Sequence, residues 1–431
     1  MRYQKIDSQL FIENRKRLRN HLKPNSVVII HSNDIMPTNS DGTMKFKQNS
    51  DIFYLTGVEQ EETILLLYPD SKEPKNREVL FLRETNETIM TWEGKKLTKE
   101  EAKELTGIEN VCWLSEFEKI FRTVMCECEN VYLNTNEHKR AVIEVETRNA
   151  RFIKRCKEEY PLHNYMRLAP IMHKIRAIKS KYEIELLQKA CDITDLAFRR
   201  VLRFLKPGVM EYEVEAEFAH EFIRNGAGFA DYSPIIASGP NACVLHYIEN
   251  DKICKDGDLL LIDVGVGYAN YNSDLTRTVP VNGRYTKRQK DVYNACLRVM
   301  KAQMKEMKPG KSIQELQKYC EQNMEKELVD LGLLTMDDIR NQDPNWPAFK
   351  KYFMHNVSHF LGLDVHDVGD VYRTLEPGMV FSCEPGIYIR EEGIGVRLEN
   401  DVVITDTGID DLMKNIPLEV EEIEDIMNYS R

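Results

Sequence analysis

Five residues in the second half of the chain carry side chains that bind divalent cations. They are Asp263 in L-I-D-V-G, Asp274 in N-S-D-L-T-R-T, His359 in S-H-F-L-G, Glu384 in C-E-P-G and Glu399 in V-R-L-E-N. Four carboxylates and one imidazole are mostly hard donors. Such a set suits Mn²⁺ or another hard-to-borderline divalent ion better than a thiolate-seeking one. Two cations need several carboxylates, some of them bridging, to offset their charge, and can then hold a hydroxide at neutral pH. That is hydrolase chemistry. Taken singly, each residue has a plainer explanation: an Asp after an apolar strand forms turns or caps, and E-P-G commonly opens a turn. The set carries weight that its members lack.

The surrounding sequence supplies elements able to position them. Leu259–Ile262 is a continuous apolar run that reads as a buried strand ending at Asp263. A short polar turn with Asn270 and Asn272 follows, and Asp274 opens the next stretch, Thr276–Val279. Carboxylates on the two strands of a hairpin face one point when they share a face. Val380–Ser382 leads into Glu384 in the same way, and Arg397, two residues before Glu399, would share that residue's face on a strand and pin a carboxylate.

The arrangement repeats. Ser180-Lys-Tyr-Glu183 has the form of a capping box opening an apolar stripe from Ile184 to Leu205, which stops at Lys206-Pro207-Gly208. Thr286-Lys-Arg-Gln289 opens a second such segment, which stops at Lys308-Pro309-Gly310. A further helical pattern follows each stop, at 213–224 and 313–331. Then come D-G-D-L and P-G-M-V, each with a candidate ligand six residues after its glycine. This reads as a degenerate duplication whose halves meet at a pseudo-twofold axis near the metals.

Six stretches occur in an order that resembles the metal-dependent pita-bread peptidases, in the Xaa-Pro aminopeptidase (aminopeptidase P) and prolidase branch. They are L-H-Y-x-x-N at 245–250, D-G-D-L-L-L-I-D-V-G at 256–265, Y-N-S-D-L-T-R-T at 271–278, M-H-N-V-S-H-F-L-G-L-D-V-H-D-V-G at 354–369, L-E-P-G-M-V-F-S-C-E-P-G-I-Y at 375–388 and G-I-G-V-R-L-E-N-D at 393–401. F-K-Q-N-S-D-I-F-Y-L-T-G at 46–57 is similar to the N-terminal domain of aminopeptidase P. The resemblance implies an α/β (α+β) chain, with an N-terminal α/β domain over 1–172 and a pita-bread catalytic domain over 173–431. It implies that Asp263, Asp274, His359, Glu384 and Glu399 hold two divalent ions. It makes His246, His355 and His366 catalytic groups around them, able to donate to a developing oxyanion or pass a proton to the leaving nitrogen. The chain departs from the commonest pattern at Asn356, Phe360 and Cys383, none of which removes a ligand. His355 and His359 are four apart, but H-E-x-x-H is absent and L-G-L after His359 continues a helix poorly.

The implied activity is release of the first residue from peptides with proline second, by attack of a metal-bridging hydroxide, with Glu384 or Glu399 moving a proton. Rivals are a prolidase acting on dipeptides, a creatinase-like enzyme without metal, and a catalytically dead peptidase-like binding module. The intact ligand set opposes the last two. A prolidase would need a cation for the proline carboxylate, for which Arg373 and Arg390 are candidates. Trp92, in T-W-E-G, is similar to a segment that in some aminopeptidase P enzymes reaches a neighbouring subunit, which implies a homodimer or homotetramer; the plainer reading packs it within its own domain.

Composition agrees. The 431 residues allow two domains, and 59 basic against 70 acidic residues, net −11 and scattered, argue against a nucleic-acid partner. No apolar run is of membrane-spanning length, and M-R-Y-Q-K-I-D-S lacks a signal-peptide core. Ten cysteines without finger spacing fit free thiols in a reducing cytoplasm. The acidic stretch Glu419–Asp425 reads as a solvated helix end.

Overall fold

A computed structural model describes residues 2–429 as two compact units, one over Tyr3–Arg176 and one from Ala177 onward. The division falls where helix Ala169–Arg176, which contains Met172, ends.

The first unit is built on a six-stranded mixed sheet. In spatial order its strands are Asn110–Trp113, Glu78–Leu82, Ile64–Leu67, Ser26–His31, Asn130–Leu133 and Asn164–Arg167. The apolar runs around Val27, Leu65 and Val79 form its centre, and their consecutive residues are buried, as in a strand covered on both faces. The K-Q-N-S-D-I-F-Y-L-T-G stretch is a short helix, Ser50–Thr56, with its ends specified locally. Asn49 caps it by accepting from the amides of Asp51 and Ile52, and Gly57, at φ 70°, closes it in the left-handed region. Ile52, Phe53, Tyr54 and Leu55 are all buried.

In the second unit the two expected capping boxes both form. Ser180 and Glu183 cap helix Lys181–Phe204, and Thr286 and Gln289 cap helix Lys287–Glu306. Each is followed by a second helix, Glu211–Arg224 and Ile313–Asp330. The repeat extends to the backbone. The Gly208 amide donates to the Cys254 carbonyl at 2.9 Å, as Gly310 donates to Leu375 at 3.0 Å; Cys254 donates back to Val209 at 2.9 Å, as Leu375 does to Lys311 at 2.7 Å.

Each half then supplies a hairpin. In the first, Leu259–Val264 pairs antiparallel with Leu275–Pro280, and the same register runs on through Val266–Tyr268 and Tyr271–Asn272. Ala269 and Asn270, at φ 51° and 66°, form the two-residue turn, as a type I′ hairpin requires. Asn272 is thus a buried strand residue and not part of the turn; its side chain donates to the Leu363 carbonyl at 2.9 Å. Gly265 marks where the ladder bends. A Cβ there would lie 2.2 Å from the Ser273 carbonyl, so the strands approach only because there is none.

In the second hairpin Val380–Cys383 pairs with Asn400–Ile404, and Gly386–Ile389 pairs with Ile394–Arg397. The ladder is interrupted between them, at Glu384-Pro385 on one strand and Leu398-Glu399 on the other. Pro385 has no amide to donate. Its carbonyl still accepts from the Leu398 amide at 3.2 Å, while the Glu399 amide points to the first hairpin and donates to the Thr276 carbonyl at 3.0 Å. That bond joins the two halves at the carboxylates.

The acidic C-terminal stretch departs from its sequence reading at one residue. It lies in helix Val420–Asn428, which buries Val420, Ile423, Glu424 and Met427. Glu419, Glu421, Glu422 and Asp425 are exposed, as a solvated end requires, whereas Glu424 is buried, accepts from the Tyr285 amide and pairs with Lys290.

Candidate metal centre

The interruption of the second hairpin and the bend of the first place the five candidate ligands together. Asp263 pairs across the ladder with Thr276, and Asp274 lies two residues before Thr276, so alternation puts both carboxylates on one face. His359 is held by its backbone: its amide donates to the Ser382 hydroxyl at 3.1 Å, and its carbonyl accepts from the Ser382 amide at 3.0 Å. Its Nε2 lies 3.5 Å from Asp274, 3.6 Å from Glu384 and 3.9 Å from Glu399. Ligand atoms of Asp274, His359 and Glu399 all fall within 4.8 Å of one another.

The electrostatics are those of a site short of positive charge. Burial raises the pKa of Asp263, with Asp274 adding to it against the opposing Arg397. Burial likewise raises Glu384 to about 7, though His359 and Arg397 oppose the shift. Glu399 is pushed well above the ordinary carboxylate range, first by burial and then by Asp274 and Glu384. Burial opposes a charge on the His359 ring, yet its hydrogen bond to Asp274 and the charge of Glu384 outweigh that and raise it to about 9. Crowded, buried carboxylates that hold their protons this tightly fit divalent cations, which supply the missing charge. The donors are oxygen and imidazole nitrogen, and Nδ1 of His359 is tied to the Phe360 carbonyl at 2.9 Å, leaving Nε2 toward the carboxylates.

Arg397 is buried and spends its guanidinium in three directions. It donates to Asp263 at 2.5 Å, to the Tyr388 hydroxyl at 2.9 Å and to the Thr276 hydroxyl at 3.2 Å. The carboxylate it pins is therefore Asp263, on the other hairpin, and not its neighbour Glu399, which accepts from Thr276 at 2.7 Å. Tyr388 in turn meets His355 Nε2 at 2.8 Å. His355 Nδ1 lies 2.8 Å from the Asn356 carbonyl, which only accepts, so Nδ1 carries the proton and Nε2 accepts from Tyr388. Burial, then the nearby Arg397, then His246 lower the His355 pKa to about 3, which keeps it neutral.

The other two candidate histidines are exposed. The His366 ring packs edge-on against His359, centroids 4.4 Å apart. No helix carries His355 and His359, which removes the helical zinc pair. Trp92 is 84% exposed on the short helix Glu87–Glu93, so it does not pack within its own domain.

Sequence reading missed four contributors. The Tyr232 hydroxyl lies 2.8 Å from Asp263 and 2.6 Å from Asp274, and no spacing relation connects it to either. Thr276, Tyr388 and Asp401 stood within the quoted stretches without being singled out. Asp401, which accepts from the Asp274 amide at 2.9 Å, shares the alternation of Glu399 and was findable on that basis.

Residues 185–406 match metallopeptidase family M24, and residues 11–132 match the aminopeptidase P N-terminal domain. The chain belongs to metallopeptidase family M24. It is 36% identical to an Xaa-Pro aminopeptidase of Escherichia coli (strain K12), covering 99% of both chains. It is 30% identical to an Xaa-Pro dipeptidase of Mus musculus, covering 98% of this chain and 94% of the other. The solved structure of zinc-substituted E. coli aminopeptidase P in complex with product superposes with a TM-score of 0.88 at 36% identity, covering 99% of this chain and all of that one. Among the described residues no helix is long and apolar enough to cross a membrane.

Proposed function

We propose that this protein is a metal-dependent aminopeptidase that releases the first residue from peptides with proline in second position. One observation carries the reading. The cluster of buried Asp274 and Glu399 with half-buried Asp263, His359 and Glu384 stands in a chain similar over its whole length to an Xaa-Pro aminopeptidase. In this reading the five side chains hold two divalent ions, Mn²⁺ being the ion that the hard donor set favours. When bound, such ions lower the pKa of a water toward neutrality and polarise a carbonyl oxygen.

The chain's own groups do the rest. Arg397 and Tyr232 fix Asp263, and Thr276 fixes Glu399. The Glu384 side chain is 19% exposed against 3% for Glu399, so Glu384 is the carboxylate that a reacting water and the leaving nitrogen reach, and it carries the proton between them. His366 and His246, exposed beside His359 and His355, donate to the oxyanion and the leaving group. His355, with both ring nitrogens engaged, orients Tyr388. Proline offers no N–H at the scissile bond, so a site with no acceptor there favours it.

Ten free thiols support a reducing, cytoplasmic setting. The exposed Trp92 supports a homodimer or homotetramer, and the net charge of −11 supports the absence of a nucleic-acid partner. The likeness to a dipeptidase keeps prolidase as the second reading. The deciding measurement compares rates on Xaa-Pro and Xaa-Pro-Xaa-Xaa at equal concentration with Mn²⁺. Turnover of the tetrapeptide with release of only its first residue is expected. Turnover confined to the dipeptide makes the protein a prolidase.

A further inference from the structure

A cavity of about 380 Å³ adjoins the candidate centre and has no part in the reading above. It is lined by Pro240, Cys243, Val244, Leu245, Met354 and Arg390. Two of its walls lead straight into the site, because Leu245 precedes His246 and Met354 precedes His355. Cys243, Leu245 and Met354 pack with Tyr388 in one apolar cluster. The Tyr388 hydroxyl meets His355 and Arg397. The pocket thus lies against the His355–Tyr388 layer, and Arg397 stands between that layer and Asp263.

Its single charged wall is uncommitted. Arg390 opens the turn between strands Gly386–Ile389 and Ile394–Arg397, two residues beyond Tyr388 and so continuing the face of the strand that Tyr388 occupies. Both acidic neighbours in that turn are engaged elsewhere. Glu391 pairs with Lys351 at 2.7 Å, and Glu392 accepts from Nε and Nη2 of Arg288 at 2.8 and 2.7 Å. Gly393 lets the turn close on the pocket wall, since a Cβ there would lie 3.3 Å from Pro240. Among the described residues the Arg390 guanidinium makes no hydrogen bond or ion pair. Arg373, the other candidate cation, is paired with Glu376.

An apolar pocket with one uncommitted guanidinium fits a ligand that joins an apolar side chain to a carboxylate. The C-terminal residue of a short peptide has both. We propose that this pocket binds the third residue of Xaa-Pro-Xaa tripeptides, its apolar side chain against Val244, Leu245 and Met354 and its terminal carboxylate on Arg390. The proposal rests on the aminopeptidase reading and deepens it: the enzyme takes longer peptides, yet favours free-acid tripeptides with an apolar end.

The test uses the Mn²⁺-loaded full chain in two assays. Steady-state constants are measured for Ala-Pro-Leu, its C-terminal amide, Ala-Pro-Asp and Ala-Pro. Calorimetry measures binding of Pro-Leu and Pro-Leu-amide, which have no Xaa-Pro bond to cut. Arg390→Gln is expected to lower the preference for acid over amide by roughly threefold to tenfold in both assays, the scale of a partly solvated charge pair, with the effect on KM and not on kcat. Val244→Asp is expected to reduce the preference for Leu over Asp in third position. An equal effect of Arg390→Gln on acid and amide overturns the proposal. So does a loss confined to Ala-Pro, which would put the guanidinium on the proline carboxylate. Failure of the wild-type enzyme on every Xaa-Pro peptide refutes the aminopeptidase reading instead, and the Pro-Leu titrations still decide for or against the pocket.

Discussion

Arg397 and Asp263 lie 134 positions apart in sequence and meet at 2.5 Å, one on each hairpin. Neither is exposed, and the guanidinium also bonds Tyr388 and Thr276. Three acceptors in three directions match the rigid fork of an arginine, which a lysine ammonium on a flexible stem cannot reproduce. Arg397→Lys is therefore expected to keep the charge yet lose on the order of 10- to 100-fold in turnover or metal affinity, the scale for partners that orient a ligand. Steady-state kinetics and metal analysis of purified Arg397→Lys check this. Wild-type values in both would refute the positioning role.

Asp274→Asn, Glu399→Gln and His359→Ala should each lower bound metal and abolish most activity, because each removes a donor from one cluster. Chelation should inactivate the wild-type protein and added Mn²⁺ should restore it. Full activity after exhaustive chelation sinks the metal assignment.

His366→Ala and His246→Ala should purify with near-normal metal and lose roughly 10²-fold in kcat, as removal of an oxyanion donor or proton-transfer group does. Elemental analysis beside the kinetics separates them from His359→Ala. Metal-free His366→Ala with metal-loaded His359→Ala would reverse the two roles.

A further prediction concerns stability in the N-terminal unit. His31 is buried against Phe117 and Phe152, and burial, then Arg148, lowers its pKa from 6.5 to about 3. The unfolded chain therefore binds a proton below pH 6.5 that the folded chain refuses until about pH 3. Stability is fully present above 6.5 and falls as pH drops through this window, by up to about 1.4 kcal/mol per pH unit. His31→Phe should remove this component. Urea unfolding of both proteins at pH 7, 6 and 5 should show the variant gaining on the wild type as pH falls. A constant difference across that range contradicts the assignment.

Trp92, exposed on its short helix, should be covered in a homo-oligomer. Sedimentation of the wild-type chain should give a dimer or tetramer. A monomer that is fully active at low concentration removes that role.

Much of this protein could be read locally. Caps, apolar runs and the alternation of strands depend on neighbours a few residues away. Ser180 and Glu183, Thr286 and Gln289, and the strand that carries Asp263 were therefore legible as types and spacings. The composition of the five-ligand set was legible too, because metal preference follows from donor type. Contacts between distant segments were not. Tyr232 reaches Asp263 and Asp274 from a loop with no periodic relation to either. Arg397 was legible as a pinning residue, but not that it pins Asp263 in place of its neighbour Glu399. The acidic end is solvated as read except at Glu424, which helix Val420–Asn428 packs against the Tyr285 amide. Tertiary structure decided these because the Glu399 amide leaves its own ladder and bonds the Thr276 carbonyl of the other hairpin, which fixes how the two hairpins meet. A residue's partner across that junction depends on the packing of whole hairpins, which no local spacing encodes.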